Sequence, residues 1–325
     1  MTRNVIRSGW LIAAVALLAA AVVRGAQAEE VSRPVAIEGA VEIPFVSEAS
    51  GEAFRLLLWR PDGPAPKGGY PVLYSFDGED SFALLTDIAR MLNPAATRVG
   101  VAPVAVAAIA YPPGRASPDR RVFDLTPPAA SATGSHRMPE RPNGKPWPKL
   151  GGGDAFLDML ESEVKPRVRS ALGVETAAQT LFGHSLGGLM VLRRLVTDPT
   201  AFDCYAASSP SLWVDDRRML ADMAAFLASS PKEGRRPRLQ VSVGSAEEDL
   251  GPFDPVQGKE LEARRRWIAN NAMVTNARSL ARVAEAGKGR AVAFAYREYE
   301  ARAHQPAKVD AALDAIGLAL ECAGR

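Results

Sequence analysis

Cysteine and histidine are scarce in this chain. Only Cys204 and Cys322, and only His136, His184 and His304, occur in 325 residues. Two cysteines exclude a small disulfide-stapled scaffold, and no Cys/His cluster has metal-site spacing, so neither a metal nor a cofactor is implied. An oxidising compartment would permit one bridge between Cys204 and Cys322; the plainer alternative is two small buried hydrophobes. A charge excess is missing too. The full chain is +2, but residues 1–28 hold Arg3, Arg7 and Arg24 and no acid. The remainder has 36 basic against 37 acidic side chains, about −1, which gives no footprint for nucleic acid. Beyond residue 28 no run is long and apolar enough to span a bilayer, and no internal repeat is visible.

What is present begins with a leader. A basic start (Arg3, Arg7), an apolar run from Trp10 to Val23 and the A-x-A signal Ala26-Gln27-Ala28 read as a secretory signal peptide over residues 1–28. The mature chain is expected to begin near Glu29 and to be periplasmic or secreted. A permanent anchor is the alternative, but the apolar core is short for a spanning helix. Residues 29–325 are long enough to form one α/β domain around a large core.

Strand-like and helix-like runs alternate, which predicts a mostly parallel sheet with helices on both faces. Ile37 to Val46 and Phe54 to Trp59 read as an opening antiparallel pair. Tyr70 to Phe76, Val101 to Tyr111, Phe202 to Ser208, Arg238 to Val243 and Ala291 to Tyr299 read as further strands. Helices are expected over Ser81 to Leu92, Asp154 to Leu172 with a kink at Pro166, Asp215 to Leu227, Ile268 to Ala286, and Ala307 to Leu320. One stretch breaks the rhythm. Residues 112–153 are rich in proline, glycine and arginine, as expected of a lid-like insertion over a binding site.

The strongest local signal is Gly183-His184-Ser185-Leu186-Gly187, followed by Gly188. Thr180-Leu181-Phe182 precedes it as a strand, and Leu189 to Leu195 follows as a helix. G-x-S-x-G between a strand and a helix is a nucleophile elbow: a strained turn that pushes the serine hydroxyl out of the top of an α/β-hydrolase sheet. An ordinary glycine-rich turn with an N-capping serine is the alternative.

A serine hydroxyl needs a base, and the base needs an orienting acid. In α/β-hydrolases the order along the chain is serine, acid, histidine. His184 sits inside the elbow and His136 precedes it, which leaves His304, after the last strand, as the base. The acid should follow the strand ending at Val243. Counting three residues past Gly244 selects Glu247, with Glu248 and Asp249 as competitors. Two backbone amides should meet the oxyanion. One is that of Leu186; the other comes from the turn Phe76-Asp77-Gly78-Glu79, with Glu79 first and Gly78 second.

These residues resemble the esterase family of α/β-hydrolases that includes the enterobactin and salmochelin trilactone esterases. The resemblance spans about residues 35–322. Its markers are Val72-Leu73-Tyr74-Ser75-Phe76-Asp77-Gly78, Arg120-Arg121-Val122-Phe123-Asp124-Leu125-Thr126-Pro127, Gly152-Gly153-Asp154-Ala155-Phe156-Leu157, the elbow, and Ser208-Ser209-Pro210-Ser211-Leu212-Trp213. It implies Ser185 as nucleophile, His304 as base and the Gly244 to Glu248 segment as source of the acid. The chain departs from the family in Gln305-Pro306 after the histidine and in a charged insertion between Gly251 and Trp267. Arg120 and Arg121 could hold an anionic substrate, or form a salt bridge to Asp124, or belong to a solvated loop. Trp213 could wall the pocket, or belong to the core. The expected protein is an exported serine esterase acting on a small-molecule ester, with siderophore lactones among the candidates. An acyltransferase on the same scaffold and a non-catalytic binding module are the alternatives, and no oligomeric state is implied.

Overall fold

Continuous apolar sequence builds the centre of the sheet. Strand β3 (Tyr70–Ser75) and strand β4 (Ala105–Ala110) bury every residue, as parallel strands covered on both faces must. The computed structural model describes residues 35–114, 118–131, 133–229, 236–252, 254–255, 257–287 and 291–324. The leader expected over residues 1–28 lies outside them. Residues Glu38–Arg325 form one compact unit.

Around that centre lie β1 (Ala40–Val46), β2 (Ala53–Trp59), β5 (Thr176–His184), β6 (Cys204–Ser208), β7 (Arg238–Gly244) and β8 (Ala293–Tyr299). The eight strands run in the order β1-β2-β4-β3-β5-β6-β7-β8. β1 pairs antiparallel with β2, and β2 with β4; the other pairings are parallel. This is the mostly parallel α/β-hydrolase sheet. The strand order reverses at β3, so the carboxyl ends of β3 and β5 frame the crevice where open α/β sheets bind ligands.

The helices are α1 (Gly78–Arg98), α2 (Pro118–Asp124), α3 (Gly153–Met159), α4 (Lys165–Leu172), α5 (Leu186–Thr197), α6 (Val214–Ala228), α7 (Gly258–Asn271), α8 (Met273–Ala286) and α9 (His304–Ala323). α9 packs on α1, β5 and β6, whereas α5 packs on β5, β6 and α6, and α8 on α6 and β7. Cys204 on β6 and Cys322 on α9 form a disulfide, with their Cα atoms 6.7 Å apart. It fastens the far end of the helix that begins with His304.

Three local expectations need correction. The helix after β3 begins at Gly78 rather than Ser81, because Asp77 turns the chain with φ 53° and ψ 53°. The Ser81 hydroxyl donates to the carbonyls of Phe76 and Asp77 instead. The irregularity expected at Pro166 lies just before it, as a π-helical turn over Leu160–Val164. Pro166 itself opens α4, where its missing N–H is no loss. The single helix expected over Ile268 to Ala286 is two, broken at Ala272 (φ 42°, ψ 52°). The charged stretch between Gly251 and Trp267 supplies much of the first one. No glycine or proline marks the break; Asn276 secures it by donating its side-chain amide to the Asn271 carbonyl at 2.8 Å.

The insertion carries α2, and among its described residues no further helix or strand occurs before α3. Asp215 holds it down, accepting from the Ala130 amide at 3.0 Å and the Arg137 amide at 2.9 Å. His136 belongs to this fastening: its Nε2 lies 2.7 Å from the Pro127 carbonyl.

Candidate active site

Ser185 stands between β5 and α5 with φ 61° and ψ −119°, a conformation sterically unfavourable for a residue with a side chain. The neighbours hold it there. Its amide donates to Ser208 O at 2.9 Å, and its carbonyl accepts from Ser211 N at 3.1 Å. The glycines are needed for close approach, but not symmetrically. A Cβ at Gly183 would fall 2.3 Å from Gly187 O, and one at Gly188 2.7 Å from Ser208 O, whereas one at Gly187 would make ordinary contacts. The tight pair is Gly183 and Gly188.

His304 is the first residue of α9 and sits at the same end of the sheet. Its Nδ1 lies 2.6 Å from Glu247 Oε2, and its ring centroid is 4.5 Å from that of His184. Ser185, Ser211, Trp213, Glu247, Trp267 and His304 all line one cavity of about 280 Å³. The Ser185 hydroxyl has Ser211 Oγ as its hydrogen-bond partner at 3.3 Å. A hydroxyl, an imidazole and a buried carboxylate therefore share one concave site, a set able to carry out acyl transfer.

The chain matches the family model "Putative esterase" over residues 47–291. It is 34% identical over 252 residues to the siderophore triacetylfusarinine C esterase of Aspergillus fumigatus, covering 76% of this chain and 80% of that protein. It is 31% identical over 202 residues to the ferri-bacillibactin esterase BesA of Bacillus subtilis, covering 62% and 68%. The solved structure of the siderophore hydrolase EstA from Aspergillus nidulans aligns with a TM-score of 0.78 at 26% identity, covering 91% of this chain and 98% of that one. The chain belongs to this esterase family. It is an ester-hydrolysing enzyme.

Three carboxylates of the esterase follow Gly244, and geometry separates two of them. Glu247 is buried, and its Oε1 accepts from Ser209 Oγ and, at 2.7 Å, from the Gly244 amide. That leaves Oε2 for His304. Glu248 turns to α8 instead and accepts from the amide and hydroxyl of Thr275 at 2.7 and 3.0 Å. Asp249 lines a neighbouring hollow with Glu248 and Thr275, away from Ser185.

Leu186 opens α5 directly after Ser185. The turn after β3 faces it: a carbon placed on Gly187 would stand 3.6 Å from Asp77 Oδ2. The amides of Asp80 and Ser81 return to the Asp77 carbonyl at 3.0 Å each, so those of Gly78 and Glu79 lie ahead of the first helical bonds. The Glu79 side chain is tied back by accepting from the Tyr111 amide. Arg121, expected at the substrate, is not among the cavity's lining residues. Its guanidinium forks onto Asp77 at 2.6 and 2.8 Å. Trp213 does line the cavity.

Sequence reasoning missed much of the surround. Trp147 from the insertion and Trp267 from α7 join Trp213, with ring centroids 5.3–6.0 Å apart. Ser208, Ser209 and Ser211 enter the sequence reading only as family markers. In the structure Ser208 meets His184 Nδ1 at 2.9 Å, Ser209 meets Glu247, and Ser211 meets Ser185. His184 lies behind His304 as a buried imidazole whose Nε2 has no partner. Burial holds it well below the usual histidine range, and positive charge on His304, Lys308 and Arg121 pushes the same way.

Proposed function

We propose that the esterase is a serine hydrolase of siderophore-type esters that works outside the cytoplasm. Ser185 attacks the ester carbonyl while His304 Nε2 takes its proton. Glu247 holds the imidazole through Nδ1–H and stabilises the imidazolium. The Leu186 and Glu79 amides receive the developing oxyanion. Collapse expels the alcohol, which takes the proton from His304, and leaves an acyl group on Ser185. Water, activated by the same imidazole, then releases the acid.

The observation that carries this reading is the 2.6 Å contact between His304 Nδ1 and a fully buried Glu247 carboxylate, in the cavity that also exposes Ser185. The substrate class rests on relatives named for siderophore esters, and on a cavity walled by Trp213 and Trp267. Export is supported by the leader pattern of residues 1–28 and by a disulfide, which persists in oxidising compartments.

The test is hydrolysis of p-nitrophenyl acetate and of ferric and iron-free siderophore lactones by the purified protein, with a fluorophosphonate probe alongside. Ser185→Ala should abolish hydrolysis and labelling while leaving the melting temperature unchanged. Retained hydrolysis would remove Ser185 from the mechanism. Activity on acetate but on none of the lactones would remove the substrate class. A mature terminus near Glu29 in exported material would support the leader; an intact Met1 would not.

A further inference from the structure

Asp77 is held in a left-handed conformation that is strained for a residue with a side chain and persists only where the surroundings fix it. The surroundings here are specific. From α2, in the insertion, Arg121 Nε reaches Asp77 Oδ1 at 2.6 Å and Nη2 reaches Oδ2 at 2.8 Å. Such a planar fork sets the orientation of the carboxylate as well as its position.

The helix that supplies the fork is anchored in turn. Asp124, at its end, accepts from Arg120 Nε at 2.7 Å and from the Tyr111 hydroxyl at 3.2 Å. Arg120 also reaches Glu52 at 2.8 Å. The Tyr111 amide donates to the Glu79 carboxylate. Both ends of the Asp77–Glu79 turn are thus tied to one network at the end of β4.

The charge of Asp77 also matters. Its Oδ2 faces the first turn of α5 at Gly187. An uncompensated carboxylate there would oppose negative charge growing between the Leu186 and Glu79 amides. The Arg121 guanidinium, with the Lys308 ammonium nearby, offsets that charge, while the fork fixes the turn.

We infer that Arg121 is a positioning residue for the oxyanion pocket, acting through its fork on Asp77 to keep the Glu79 amide aimed, rather than a grip on the substrate. The inference rests on Ser185 being the nucleophile. It assigns the insertion a part in transition-state stabilisation through the turn after β3.

The experiment is a double-mutant cycle on the purified enzyme with p-nitrophenyl acetate, a neutral ester, together with inhibition by a boronic acid that mimics the tetrahedral intermediate. Arg121→Met should lower kcat about 10- to 10³-fold with KM within about twofold, the range for a misplaced oxyanion donor. Arg121→Lys should recover little, since an ammonium cannot form the fork. Boronate affinity should fall in step with kcat/KM. Asp77→Asn should cause a similar loss, and the double variant should be little worse than either single one.

Additive losses would overturn the inference, because Arg121 would then act independently of Asp77. So would an unchanged kcat on the neutral ester with KM raised only for anionic esters, the signature of a substrate anchor. If Arg121→Met does not fold, the near-isosteric Asp77→Asn carries the test through the same kcat and boronate readouts. Failure of the nucleophile reading is separate: it appears as activity surviving Ser185→Ala, whatever Arg121 does.

Discussion

Glu247 divides its two oxygens between two tasks: Oε2 meets His304 Nδ1 at 2.6 Å, while Oε1 accepts from Ser209 Oγ and the Gly244 amide. The carboxylate is thereby fixed in plane before it orients the ring. Glu247→Gln keeps the shape but can present a donor to Nδ1–H, which disfavours the working tautomer. We expect kcat to fall about 10²- to 10⁴-fold on p-nitrophenyl acetate. Glu248→Gln, whose partner is Thr275, should stay within about twofold of the wild type by comparison with ordinary surface changes. Steady-state kinetics of both variants decide the assignment, and equal losses would contradict it.

His184 makes the stability of the fold depend on pH. The unfolded imidazole takes a proton near its ordinary value of 6.5, whereas burial holds the folded one far lower. Below pH 6.5 the unfolded chain therefore binds one proton more than the folded chain, and stability falls as the pH falls. Above pH 6.5 this histidine adds no pH slope; below it stability is lost by up to about 1.4 kcal/mol per pH unit. Urea unfolding at pH 7.5, 6.5 and 5.5 should show that slope reduced by about one proton in His184→Gln. Identical slopes would remove the claim.

The central sheet and the elbow were readable because their signals are local. β3, β4 and the strand before Ser185 are short apolar runs bounded by turns, and the elbow glycines fall at fixed offsets. Counting from Gly244 led to Glu247 because the turn after β7 is tight, with the Glu247 amide bonded to the Gly244 carbonyl. The rest depends on partners distant in sequence. Cys204 and Cys322 are 118 residues apart, and nothing near either one announces the other. Trp147, Trp213 and Trp267 lie on three segments that meet only once the insertion has folded across the site. The break at Ala272 was hidden because neither glycine nor proline marks it, and the Asn276 amide that secures it lies four residues farther on.

The Cys204–Cys322 bridge should contribute substantially to stability. Closing a loop of 118 residues restricts the unfolded chain, and bridges of this kind contribute about 2–5 kcal/mol. Both cysteines are buried, so the serine pair leaves little new surface. Cys204→Ser/Cys322→Ser should lower the urea midpoint, and dithiothreitol should lower it to a similar extent in the wild type and not at all in the variant. A midpoint indifferent to both treatments would show that the bridge does not restrain the chain.

The tryptophans make a prediction about which esters the cavity prefers. Trp213 and Trp267 line it directly, while Trp147 stacks on Trp267 and tilts against Trp213, with Arg141 5.4 Å from its ring on the insertion. A wall of this kind holds flat or bulky groups by area and by ring–ring contact, at about 0.5–1.5 kcal/mol per pair beyond burial. A small acetyl ester reaches Ser185 without needing that contact. Trp267→Leu should therefore raise KM about tenfold for a bulky lactone while leaving kcat/KM for p-nitrophenyl acetate within about twofold. Trp147→Ala should act in the same direction but more weakly, since it touches the wall rather than the cavity. Equal losses on small and large esters would mean that the tryptophans support the fold of the site rather than its choice of substrate.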